Sequence, residues 1–480
     1  MKTMRKRTMI LEGNMYKVVI LLSLPVMLNN LIQTMYNLTD TYFLSKLGSV
    51  EVASMTLAWP VVFLQLALGM GIGIAGTTLI SQNIGAEKME EAKKTAGQLV
   101  SFAMGFSVLL SISGIISTPY ILKVMGATGD IYTNAYIYLV LIVGGAPLTY
   151  AAFIYASIKQ GEGDTISPMI LSLISVTINI VLDPIFIFYF DLGIKGAALA
   201  TLLARAIMSF YIVYQLFIKD TPMRLRLKDL KPDFNYIKKI TKLGIPASIG
   251  QATIAMGFVV LNSFVNTYGE LTLAAFGIGN RITGLIVMPA MGIGGAVSSI
   301  VGQNIGNNDV KRVKECVLKS SILATIFSIV GTTTLLIWGS NIIRLFSTNK
   351  EIIYLGNDYL KYISLSLIGL AILPIITGAL QGVGQTKKAM YISMSRLWVF
   401  RLPTLLLLPF FIGKTEYVIW YAIFSSNIIA MLVAIYFYNK SEFKSIVGDV
   451  KDKENKMIKN KISQGMEIEM EAEFARIETK

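Results

Sequence analysis

Twelve times along the sequence, apolar residues run on for roughly 20 or more positions before a short polar gap interrupts them. A helix needs about 20 such residues to cross the roughly 30 Å hydrocarbon core of a bilayer. In lipid the backbone must satisfy its own hydrogen bonds, so blocks of this kind predict spanning helices and tolerate internal Gly and Pro. They fall near residues 16–44, 52–82, 94–119, 131–157, 166–190 and 194–218, then near 236–264, 272–302, 315–342, 352–380, 387–412 and 416–438. Only 15% of the residues are charged, as a polytopic membrane protein requires. The expected fold class is an all-α polytopic membrane protein of twelve transmembrane helices.

The net charge of +14 does not point to nucleic acid, because Lys and Arg gather in alternate gaps between blocks. Lys88, Lys93 and Lys94, then Lys159, the 219–242 region, Lys311–Arg312–Lys314 and Lys387–Lys388 mark the cytoplasmic side by the positive-inside rule. Lys46, Lys123, Lys195 and Lys414 lie in the sparser gaps opposite. Both termini are then expected inside a cell-membrane protein. Met1 to Arg7 reads as the basic flank of an uncleaved first helix, since no small-residue cleavage site follows. With one cysteine and no histidine, an intrachain disulfide is excluded and the commonest transition-metal ligand is missing.

A shift of 221 residues lays the chain on itself. It carries Pro25 onto Pro246, Gly48 onto Gly269, Gln82-Asn83-Ile84-Gly85 onto Gln303-Asn304-Ile305-Gly306, and Gln160-Gly161 onto Gln381-Gly382. A constant offset over about 140 residues means that six helices are duplicated. Six is even, so the two lobes share one orientation and a pseudo-two-fold axis along the membrane normal. The expected organisation is a cytoplasmic flank (1–15), a six-helix lobe (16–218), a basic cytoplasmic linker (219–235), a second six-helix lobe (236–438) and a cytoplasmic tail (439–480). Paired lobes suit alternating access about a central site, which favours a transporter over a channel.

Two motifs point elsewhere than they first suggest. Gly71, Gly73 and Gly76 have dinucleotide-loop spacing but sit inside an apolar block, where close helix packing explains them. Gly161-Glu162-Gly163-Asp164 matches the G-x-G-D of intramembrane aspartyl proteases. Its copy reads Gly382-Val383-Gly384-Gln385, which points to turn chemistry in a short gap.

Ionisable groups at membrane depth are costly and mark function. Asp40 and Asp183 are such groups. Asn29, Gln33, Tyr36, Asn37 and Asp40 follow helical steps on the first helix, as do Ser172, Ser175, Asn179 and Asp183 on the fifth; Thr201 lies in the sixth. Under the 221-residue shift Asp40 maps to Leu261, Asn179 to Phe400 and Asp183 to Thr404, so the acids belong to the first lobe alone. A carboxylate in low dielectric favours a bound cation, and two carboxylates with the Asn179 and Thr201 oxygens make a site for a proton or for Na⁺. Arg205, Arg281, Arg396 and Arg401 also fall within blocks, with acid pairing, snorkelling or contact with an anionic substrate open to each. Pro25 and Pro184 are candidate hinges.

These residues resemble the multidrug and toxic compound extrusion (MATE) transporters over roughly residues 15–438. The resemblance rests on Pro25 with Asn37-Leu38-Thr39-Asp40, the paired Gln-Asn-Ile-Gly, Gln160-Gly161-Glu162-Gly163-Asp164, Asn179-Ile180-Val181-Leu182-Asp183-Pro184 and Gly279-Asn280-Arg281-Ile282. It implies two lobes around a V-shaped cavity and export of cationic amphipathic compounds in exchange for H⁺ or Na⁺. The protein would be a non-enzyme without a cofactor that works as a monomer. The DinF-type bacterial branch is the most similar, which implies cation coupling at Asp40, Asn179, Asp183 and Thr201. The cavity would be lined by Gln33, Tyr36, Asn37, Tyr138 and Ser175. Abundant Met, Phe and Tyr suit a tolerant, repackable pocket. The competing reading is a flippase for lipid-linked oligosaccharides, favoured if Arg281, Arg396 and Arg401 ring the cavity.

Overall fold

The computed structural model describes residues 2–448; the rest of the expected tail, 449–480, lies outside the described residues. In chain order the helices are α1 (Lys2–Glu12), α2 (Met15–Ser45), α3 (Ser49–Gly85), α4 (Met89–Val124), α5 (Gly129–Gly144), α6 (Ala146–Gly161), α7 (Ile166–Pro184) and α8 (Gly193–Val213). The second set comprises α9 (Phe234–Asn266), α10 (Glu270–Gly306), α11 (Val310–Arg344), α12 (Lys350–Ser364), α13 (Leu367–Val383), α14 (Thr386–Met394), α15 (Leu402–Leu407), α16 (Pro409–Ile412) and α17 (Tyr417–Asn439). Wide π-helical turns follow α7 (Ile185–Tyr189), α8 (Tyr214–Ile218) and α14 (Ser395–Arg401). Ten spans are long and apolar enough to cross a membrane, and two bent pairs bring the count to twelve.

Those pairs differ from expectation. The blocks at 131–157 and 352–380 predict one helix each, but α5 and α6 meet at 46° and α12 and α13 at 54°. Pro147, in the first turn of α6, has no N–H to continue the α5 ladder. Ser111 donates to the freed carbonyls of Val143 and Gly144, at 2.9 and 3.2 Å. In the second lobe the hydroxyls of Ser364 and Ser366 turn onto local carbonyls and compete with the helix. Thr332, the copy of Ser111, donates to Ser364 O at 2.8 Å. The duplication thus extends to the break and to the side chain that satisfies it.

Each lobe lends its first helix to the other: α9 packs along α3, and α2 along α10. Every residue from Ala75 to Ala86 and from Ala296 to Gly306 is buried, whereas the opening halves of α3 and α10 are only partly so. The lobes are therefore sealed together at the end where these helices finish, which is also the Lys/Arg-rich end. The seal is two-fold. Thr78 Oγ1 donates to Gln381 O (2.9 Å) and Gln82 Nε2 to Gly382 O (2.8 Å), while Ser299 donates to Gln160 O and Gln303 Nε2 to Gly161 O (2.9 Å). A Cβ on Gly85 would lie 2.0 Å from Gln303 O, and one on Gly306 2.1 Å from Gln82 O. Only glycine lets the two backbones approach this closely.

Helix α1 straps this end. Arg7 donates from Nε to Ile84 O and from Nη2 to Gly85 O, both at 3.0 Å, covering the last carbonyls of α3, where the helical ladder runs out. Arg312, across the seam, donates to Ile10 O and Gly13 O at 3.1 and 2.8 Å. Lys6 pairs with Asp164 at 2.9 Å. The segment after α17 adds a second tie, with Ile446 N donating to Gln82 Oε1 at 2.9 Å.

Burial opposes ionisation of Asp164, but the Lys6 ammonium and the Ser167 O–H and N–H outweigh it and hold the carboxyl below its ordinary range. A depressed carboxyl contributes stability that is complete above its unfolded value and is lost as pH falls through the folded one. The protection of α1 against hydrogen exchange should therefore stay flat from pH 7 down to about 4 and drop below that. Lys6→Ala should lower it already at pH 7. Protection that declines between pH 7 and 5 would refute the pairing.

Candidate functional site

Four helices of the first lobe converge on one buried polar cluster. From α7 come Asn179 and Asp183, 2% and 0% exposed; α2 supplies Asp40 (3%), α8 Thr201 (4%) and α5 Tyr138 (7%). Asn179 Nδ2 donates to Asp183 Oδ1 at 3.1 Å and reaches Thr201 Oγ1 at 3.4 Å. The Tyr36 hydroxyl meets Thr201 Oγ1 at 2.9 Å and so ties α2 to α8. Tyr138 stands within electrostatic reach of Asp40 and Tyr36.

Acceptors outnumber donors in this cluster. Asp40 Oδ1, Asn179 Oδ1 and Asp183 Oδ2 are buried without a hydrogen-bond partner. Asp40 forms no ion pair among the described residues, and neither does Asp183. Arg205, the nearest guanidinium in sequence, donates to Thr149 Oγ1 at 2.6 Å instead. Buried acceptors are normally satisfied, so three orphans on two acids and an amide make a cluster short of hydrogen-bond donors. Among the described residues no three His, Cys, Asp or Glu side chains group to hold a transition metal.

The polar stripe expected on α2 resolves into two. Tyr36 and Asp40, four apart, turn into the lobe, while Gln33 and Asn37, also four apart, are exposed. Ser175 is half-buried on α7. Helix α2 runs unbroken through Pro25, but α7 gives way to a π-helical turn directly after Pro184, where the proline ring removes a backbone donor. Gly71 packs against α9, where a Cβ would lie 2.0 Å from Ser248 Oγ, whereas Gly73 has room. Gly163 and Gly384 adopt φ of +76° and +91°, so the G-x-G pair does serve the turns. Asp164 is bound by Lys6 and Ser167.

The second lobe repeats the framework with other chemistry. Tyr359, the copy of Tyr138, packs edge-on between Phe276 and Trp420, with ring centroids 5.7 and 4.9 Å apart. Leu261 stands where the first lobe has Asp40. Arg401 lies inside this lobe, and Arg281 is exposed. The part of the cluster that sequence reasoning missed is the Tyr36–Thr201 tie. The closest signal was the 3–4 spacing of Tyr36 from Asp40, which does not tell which neighbour the phenol meets.

The MatE family model matches the chain twice, over residues 25–185 and 246–407, with starts separated by the 221-residue repeat. The multidrug export protein MepA of Staphylococcus haemolyticus is 27% identical over 429 residues, covering 89% of this chain and 94% of that protein. The probable multidrug resistance protein YpnP of Bacillus subtilis is 26% identical over 405 residues, 84% and 90% of the two chains. Among solved structures, a multidrug resistance MATE family transporter in an outward-facing conformation superposes with a TM-score of 0.85 at 27% identity, covering 90% of this chain and 97% of that one. A MOP superfamily transporter from Pyrococcus furiosus, described as having a binding pocket of reverse polarity, matches with the same figures.

Proposed function

The chain belongs to the MatE family, and from that membership we infer that it is a secondary active exporter of cationic amphipathic compounds, driven by H⁺ or Na⁺ entry through the first-lobe cluster. The carrying observation is the set of three buried acceptors without donors, on Asp40, Asn179 and Asp183. One cation supplies what they lack: a proton as a donor between oxygens, or Na⁺ as a centre for Asp40, Asp183, Asn179 and Thr201. Loading cancels one of the two negative charges and lets α2 settle against α7 and α8. Unloading leaves net negative charge that draws in an organic cation. Competition for one charge couples the two fluxes.

The basic end is the cytoplasmic face, with both termini there. Sealed there and looser at the other end, the lobes stand in the outward-facing arrangement of alternating access. Gln33, Asn37, Tyr36, Tyr138 and Ser175 line the substrate path, and Pro25 and Pro184 are its hinges. The protein acts as a monomer and catalyses no covalent chemistry. Arg401 turns inward onto Ser426 and Asn427, which removes it from any ring of cations for a pyrophosphate.

The test is ethidium efflux from energised vesicles under an imposed pH or Na⁺ gradient. Dye should leave under one of the two gradients, and that gradient names the ion. No dye movement under either overturns the reading.

A further inference from the structure

Arg401 is 6% exposed, deep in the second lobe. Its Nε donates to Ser426 Oγ at 2.9 Å and its Nη2 to Asn427 Oδ1 at 2.8 Å. Both partners are neutral, and both are committed further: Ser426 donates to Ile423 O, and Asn427 Nδ2 to Ser366 Oγ. A guanidinium has five N–H groups, so three have no acceptor among the described residues. No described ion pair includes Arg401 or Arg396. Of the two acids in α12, Glu351 is exposed in its first turn and Asp358 is taken by Tyr417 and Lys361. A lone cation in a low-dielectric interior is costly, and hydroxyl and amide oxygens do not cancel its charge.

A second cation makes the imbalance worse. Arg396 and Arg401 bound most of the π-helical turn Ser395–Arg401. The i→i+5 bonding of a π-helix turns residues five apart nearer to one face than the 3.6-residue turn of an α-helix does. Arg396 makes no hydrogen bond or ion pair among the described residues. Beside Arg401, between α9 and this turn, lies a cavity of about 10 Å³ bordered by Gly257, Leu261, Leu397, Trp398 and Leu405. That is room for one body the size of a water molecule. An organic anion does not fit; a halide, somewhat larger than water, enters as the flexible Leu397 and Leu405 side chains give way.

We propose that the second lobe holds a small-anion site, with chloride as its ligand, on the free N–H groups of Arg401 and within the field of Arg396. It is the charge-inverted counterpart of the cluster in the first lobe. It stands independently of which compound is exported and which cation drives export.

The test uses the full-length protein in detergent, with chloride and gluconate exchanged at constant sodium and pH. Chloride should raise the melting temperature saturably by several degrees, and equilibrium dialysis should retain about one ³⁶Cl per chain. Arg401→Gln should lose both responses, and Arg396→Gln should weaken retention several-fold. Should Arg401→Gln fail to fold, dialysis of wild type and Arg396→Gln decides. Identical melting in both salts with no retained ³⁶Cl overturns the site. So does a chloride response that survives in folded Arg401→Gln.

Discussion

Asp183→Asn is expected to abolish uphill dye efflux while leaving the protein folded in the membrane, and Asp40→Asn to do the same. The size follows from the driving force. One pH unit supplies 1.36 kcal/mol per proton, and a tenfold concentration ratio costs about 1.4 kcal/mol, so one-for-one exchange sustains about a tenfold dye gradient per pH unit. An amide cannot release a proton or supply a formal charge to Na⁺, so the mutant gradient should collapse to unity. Folding should survive. The amide introduced by Asp183→Asn still offers an oxygen to Asn179 Nδ2, and the substitution removes a buried charge whose second oxygen has no donor. The melting temperature should therefore hold or rise, which separates loss of coupling from loss of structure. Thr201→Val then divides the two ions. It removes a neutral oxygen that Na⁺ would use and a proton would not, so a several-fold loss of apparent Na⁺ affinity marks sodium. Uphill efflux that persists in both Asp variants would end the coupling assignment.

How much of this was legible beforehand depended on whether the governing contact was local. Twelve blocks could be read because a bilayer imposes length and polarity on each segment separately. Asp40, Asn179, Asp183 and Thr201 could be gathered because polar groups at membrane depth are costly enough to need one another's company. The helix breaks were another matter. Gly144-Gly145 followed by Pro147 hints at the first, but Ser364-Leu365-Ser366 gives its copy no such hint; only the repeat links them. The π-helical turn after Pro184 is a slip of one hydrogen bond with little compositional trace, and Ser395–Arg401 contains no proline at all. Helix α1 reads as a basic flank, since its partners lie 77 to 302 residues away. The doubled Gln-Asn-Ile-Gly was visible as a repeat, but its meaning needed both copies to meet: each glutamine reaches a carbonyl in the opposite lobe.

That meeting point sets the second large effect. Gly85→Ala is expected to stop export without touching the acidic cluster. Its Cβ would lie 2.0 Å from the carbonyl oxygen of Gln303 and 2.7 Å from the carbonyl carbon, both backbone atoms that cannot rotate away. The strain is relieved only if α3 and α10 separate, which also draws Gln82 and Gln303 off Gly382 O and Gly161 O. Gly306→Ala meets Gln82 O at 2.1 Å and should act alike. Because both substitutions spend their effect on one contact, the double variant should be little worse than either alone. Gly105→Ala in α4 is the control: nothing lies within 4 Å of its Cβ, and the helix gains up to about 1 kcal/mol of propensity. The direct readout is the distance between spin labels on Glu90→Cys and Lys311→Cys, exposed on either side of the seam, in a background where buried Cys316 is replaced by Ala. The distribution should lengthen in Gly85→Ala and Gly306→Ala and stay put in Gly105→Ala. Export lost with the distance unchanged would mean that the glycines matter for something other than closing the lobes. Export retained with the seam open would mean that this end need not close for transport, and alternating access about the cluster would have to be abandoned.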